Sequence, residues 1–234
     1  VHLQGVALSL PFGASGSGPP PRLSDVNGEF LITERTISAD LTGRAETLEQ
    51  RVLFDFWGFD PQSSPFAARL TTESFRLERD LELLEYVPEV VDEELDRFGH
   101  PEADVDATIW VARGERPEGL AAPMTGPLEG PKELAGGGGD IRVAGILRMR
   151  NGRAAYRGFP YPFHDMSAVA RFTTEKLRID QIRGTGPTGA TLTGWAEVGD
   201  LGPEASVDVD LTVTDTPVDD ELKAVLSPAR RTLL

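Results

Sequence analysis

Three histidines, His2, His100 and His164, and several carboxylate clusters are the side chains of this sequence best equipped for chemistry. Their spacing does not assemble it. No histidine has a second ligand at metal-binding or catalytic spacing, and His164-Asp165 reads as an exposed turn pair. Asp92-Glu-Glu94, Asp104/Asp106, Asp208/Asp210 and Asp219-Asp-Glu221 would suit calcium or a glycosidase acid pair. However, the loop spacing and central glycine of a calcium hand are missing. Asp208 and Asp210 alternate along a strand as a solvated face does, and Asp219 and Asp220 open a helix, where the dipole favours negative charge. Ser63-Ser64 lacks a nucleophile elbow. Gly184-x-Gly186 and Gly136 to Gly139 lack the lysine and following helix of a phosphate cradle. The expectation is a non-enzymatic chain with no cofactor and no metal.

The bulk properties narrow the partners. A net charge of −15 over 234 residues argues against nucleic acid and against anionic lipid surfaces, both of which require basic patches. Cysteine is absent, which removes disulfide, thiolate and zinc-finger chemistry. No apolar run reaches the roughly 20 residues that cross a bilayer as a helix. The 25 glycines and 18 prolines fit many turns between short strands. The chain starts at Val1 without methionine and is expected to be a segment of a longer protein.

Most of the sequence reads as strands. Val207, Val209, Leu211 and Val213 alternate with Asp208, Asp210 and Thr212, so one face meets apolar material and the other meets water. Strands are expected over 1–10, 29–33, 36–41, 50–59, 66–77, 105–111, 141–149, 153–158, 169–172, 177–182, 190–198 and 207–213. Asn151-Gly152 predicts a tight hairpin turn, and Phe159-Pro-Tyr-Pro-Phe163 predicts a break. Helical spacing of Leu81, Leu84, Val87 and Val91 predicts a helix over 80–98, kinked at Pro88 and ended by Gly99. A shorter helix is expected over 218–226. Trp57, Trp110 and Trp195 fall in strands and read as core residues.

A repeat at an offset near 140 relates the two ends of the chain. Leu23-Ser-Asp-Val26 aligns with Phe163-His-Asp-Met166, Leu41-Thr-Gly43 with Ile182-Arg-Gly184, and 50–58 with 190–198. The expected fold is mainly β: two repeated, curved antiparallel units, each ending in a short helix, joined in one extended twisted sheet or groove. The division reads as 1–114, a Pro/Gly-rich linker at 115–139, and 140–234.

Tyr156-Arg-Gly-Phe-Pro-Tyr-Pro-Phe163, Leu177-Arg-Ile-Asp-Gln-Ile-Arg-Gly184, the strands 190–198 and 207–213, and Pro217-Val-Asp-Asp-Glu-Leu222 resemble the repeats of AsmA-like and TamB-type proteins. Phe75-Arg-Leu-Glu-Arg-Asp-Leu81 and Asp104-Val-Asp-Ala-Thr-Ile-Trp-Val111 look like the same repeat's closing part. That resemblance implies a periplasmic piece of a bacterial envelope protein anchored in the inner membrane. It also implies a β-groove carrying phospholipid between membranes, with acyl chains and neighbouring β repeats of the same chain as partners. Val207, Val209, Leu211, Val213, Leu192, Val52, Phe54 and Ile141 are then expected to line one apolar concave surface. Two readings compete. A β-sandwich carbohydrate-binding or adhesion module would expose two or more Trp or Tyr rings on one face. A hydrolase would join carboxylates from separate strands in a cleft.

Overall fold

The computed structural model describes residues 2–9, 22–45, 48–60, 63–78, 95–115, 117–118, 140–157, 159–201, 205–218 and 220–225. The protein is mainly β, an open antiparallel sheet of eleven strands hydrogen-bonded in sequence order. The strands are β1 (His2–Ser9), β2 (Arg22–Ile32), β3 (Thr36–Ala45), β4 (Leu48–Trp57), β5 (Phe66–Leu77) and β6 (Glu102–Arg113). They continue as β7 (Ile141–Tyr156), β8 (Phe159–Thr173), β9 (Lys176–Thr185), β10 (Thr191–Gly199) and β11 (Ser206–Thr214), before a short helix, Asp220–Val225. β1 and β11 are the two edges.

Two compact units are drawn from this chain. One comprises Val1–Phe75, Asp106–Ile146 and Phe172–Thr174; the other comprises Arg76–Val105, Leu147–Arg171 and Glu175–Leu234. Of the expected linker at 115–139, only residues 115, 117 and 118 are described.

In the first unit, β3 to β5 set apolar residues directly opposite one another. Leu41 faces Val52, which faces Leu70; Ala39 faces Phe54, which faces Ala68; Ile37 faces Phe56, which faces Phe66. Period-two alternation puts this whole set on one face. Leu23, Val26, Ala39, Leu41 and Val52 are fully buried there, with Ile109, Val111 and Val143 packed against them. Each fully buried Val or Leu contributes about 1.5–3 kcal/mol of transfer free energy, so this cluster is the unit's main stabilising feature.

In the second unit, β9, β10 and β11 pair in the same manner. Leu192 faces Val213, Ala196 faces Val209 and Val198 faces Val207, while Val198 also faces Leu177 on β9. Tyr161 of β8 is fully buried, its hydroxyl 3.1 Å from that of Thr188 and its ring packed over Gly186.

Three local expectations need correction. Asn151-Gly152 does not turn the chain, because β7 runs through it without interruption. Asn151 has φ of 52° but Gly152 does not join it at positive φ, whereas the tight hairpin turn requires both. The Asn151 amide instead donates to Asp104 Oδ2 at 2.8 Å, holding it to the neighbouring sheet positions. Nor does Phe159-Pro-Tyr-Pro-Phe163 break the ladder, since β8 begins at Phe159. Pro160 and Pro162 are two apart, so both missing N–H groups fall on one side of the strand and the other side keeps its donors. The strand expected at 29–33 begins earlier, at Arg22, so that Asn27-Gly28 lies inside β2.

Of the helix expected at 80–98, residues 80–94 lie outside the described residues. Leu95, Asp96 and Arg97 form a helical turn, ended by Gly99 at φ 67° with His100 N–H bonded to Leu95 O.

Candidate functional site: an apolar strand face and its charged reverse

The residues proposed to contact lipid differ in exposure. Val207, Val209, Leu211 and Val213 are all exposed, between 36% and 42%. All nine residues of β11 are exposed, because an edge strand has a neighbour on one side only. Leu211 lies over Gly194, where an added Cβ would come within 2.8 Å of Leu211 Cδ2. Leu192, on the neighbouring strand, is buried at 4%. In the first unit, Val52 is fully buried inside the protein's own core, Phe54 is half-buried and packs edge-on to Phe30 at 5.5 Å, and Ile141 is exposed at 39%. Val52 therefore already has protein neighbours in the position where a ligand contact was expected. Edge position was not read from the sequence. A perfect alternation has the same appearance on an inner strand and on an edge.

The opposite faces are charged and cross-linked between strands. In the second unit, Arg178 donates to Asp180 at 2.8 Å and to Glu197 at 2.8 Å, while Lys176 donates to Glu197 at 3.0 Å. Arg171 reaches Asp180 at 3.0 Å, and the Arg178 guanidinium lies 5.1 Å from the Trp195 ring centre. Hydrogen bonds from Arg178 and then Lys176 lower the Glu197 pKa below the usual carboxylate range. Arg76 similarly bridges Glu102 at 2.9 Å and Asp104 at 3.2 Å. Asn151 and then Arg76 hold the Asp104 pKa down.

In the first unit, Arg51 makes a two-pronged contact with Asp40, at 3.0 and 2.8 Å, which lowers the Asp40 pKa. A buried pair, Ser38 Oγ to Asp55 Oδ1 at 2.5 Å, also lies on this reverse face. Cross-strand pairs of opposite charge, such as Arg51 with Asp40, stabilise by about 0.2–1 kcal/mol each.

Asp208 and Asp210 break this pattern. Asp208 lies directly opposite Glu197, and Asp210 opposite Trp195. Among the described residues neither meets a cation.

The remaining chemical candidates have close polar neighbours. His2 lies 3.5 Å from Glu29, His164 2.7 Å from Asp165, and His100 Nε2 2.7 Å from an Asp96 oxygen. Ser64 is buried, accepts the Asp60 N–H on its hydroxyl and offers its carbonyl to Arg113 at 2.7 Å. Among the described residues no group of three His, Cys, Asp or Glu could hold a metal. Asp92-Glu-Glu94 and Asp219 lie outside the described residues. Trp57 is buried, Trp110 half-buried and Trp195 beneath Arg178, so none of the three joins an exposed aromatic platform. No described helix is long and apolar enough to cross a membrane.

No family model, curated protein or solved structure matches the chain.

Proposed function

We propose that this chain is a non-catalytic segment of an AsmA-like envelope protein, working in the periplasm, whose apolar strand faces contact phospholipid acyl chains. The observation that supports this reading is the exposed row Val207, Val209, Leu211 and Val213. Four apolar side chains on one face of one strand need a covering of protein or of something equally apolar. Acyl chains meet that need without hydrogen-bond donors or any catalytic group. Lipid contact centres on the exposed members of the set, β11 and Ile141. Val52 and Leu192, both buried, belong to the cores of their own units. Neighbouring β repeats of a longer chain would extend the same face. The carboxylates favour this reading over hydrolysis, because Asp40, Asp104, Asp180 and Glu197 are each paired with an arginine.

Native mass spectrometry of the purified chain, with organic extraction and lipid analysis, tests the proposal. The expected result is phospholipid retained in proportion to protein and lost in Val209→Asp and Leu211→Asp. A lipid-free mass for the folded wild-type chain after incubation with phospholipid would overturn it.

A further inference from the structure

The apolar face of the first unit is shut at one end of its strands and open at the other. Directly opposite residues share a face, and successive rows across β2 to β5 grade in exposure. Leu41 and Val52 are fully buried. In the next row, Ala39 is fully buried between half-buried Phe30 and Phe54. In the last row, Ile32 faces Ile37, which faces Phe56 and then Phe66. Phe66 is buried, Ile37 and Phe56 are half-buried, and Ile32 is 56% exposed.

Hairpin ends meet at that open side. Thr33 N–H bonds Thr36 O at 2.9 Å across the β2–β3 turn, and Gly58 N–H, just after β4, bonds Arg35 O at 2.9 Å. The tip so formed carries Phe59, 55% exposed, with exposed Glu34, Arg35 and Asp60 around it. Large apolar side chains thus stand in water where the apolar face reaches the surface. Further strands would join this sheet beside β1 or β11 and leave the hairpin ends uncovered.

We propose that this tip is where a phospholipid acyl chain passes from a bilayer onto the apolar face, Ile32 and Phe59 seating in the headgroup boundary; this rests on the lipid-contact reading and adds the place of entry. Apolar side chains at a tip sink into that boundary as interfacial anchors do. The row Ile32, Ile37, Phe56 and Phe66 then runs inward with no hydrogen-bonding side chain for a hydrocarbon tail to leave unpaired. The flanking charges are of mixed sign, which suits a zwitterionic surface, whereas an anionic one repels the net charge of −15.

Two measurements on the full chain test it. One is the rate at which it takes up fluorescent phosphatidylcholine from phosphatidylcholine vesicles; the other is the amount it holds after loading from detergent. In the double variant Ile32→Ser, Phe59→Ser the rate should fall about tenfold or more, since two apolar anchors are lost. The amount held and the thermal midpoint should stay those of wild type, and Ile32→Leu with Phe59→Leu should keep the wild-type rate. Unchanged uptake in the serine variant, or an equally slow leucine variant, would overturn the entry site and leave lipid contact standing. Loss of the amount held together with the rate would make the tip part of the holding surface and also overturn it. A wild-type chain that takes up no lipid by either route would overturn both readings.

Discussion

Gly194 shows how closely β10 and β11 approach. A Cβ built there would fall 2.1 Å from the Asp210 carbonyl oxygen, far inside any tolerated contact, so the backbone itself must yield. Gly194→Ala should therefore destabilise the protein by roughly 1–3 kcal/mol, the range for forcing atoms into filled space. Urea unfolding would show a lower midpoint at an unchanged slope. An unaltered midpoint would mean that β11 moves aside freely. The residue types at this position were legible as a strand, but the close approach was not. Glycine in an alternating pattern signals a weak spot or a tight one, and only the partner strand decides which.

At the scale of elements, the repeat read from the sequence reappears as a geometric device. Asp25 and Asp165 both take φ 51°. In the first unit the β2–β3 register shifts between Ser24 and Asn27. The extra residue lets Leu23 and Val26, three apart, both be fully buried, where uninterrupted alternation would put them on opposite faces. Gly43 lies against Val26 and Leu23; Gly184 lies against Met166 and Phe163, the residues aligned with them. Asp165→Val and Asp25→Val should each cost about 1–2 kcal/mol, because left-handed backbone disfavours a branched side chain. The glycine variants should stay within about 0.5 kcal/mol of wild type. Thermal unfolding of the four variants would check this, and a cost at one aspartate but not the other would dissolve the equivalence. Strand positions were readable because alternation survives in short windows. The hairpin expected at Asn151-Gly152 is absent because local turn propensity yields to the Asp104 contact, and the edge position of β11 is not legible because pairing partners are absent from a strand's own pattern.

For the whole molecule, charge sets the acid limit. Asp40 and Glu197 have folded-state pKa values lowered by arginine contacts, and Asp104 by Asn151 and then Arg76. Their stabilisation is therefore complete above the unfolded carboxylate range of about 4 and is lost as pH falls through and below it. Stability measured by urea titration should be flat from neutral pH down to about 5 and then decline, and the decline should soften in Arg178→Gln, which removes part of the linkage. A decline already under way near pH 7 would point to other groups. Sequence-order pairing has a separate, mechanical consequence. Among the described strands each bonds to its chain neighbours alone, so tension applied across the strands at one end of β11 loads the β10–β11 bonds one after another instead of together. The sheet peels as a zipper does, each strand released leaving the next as the new edge, and resistance comes from single rungs instead of from the whole ladder in shear.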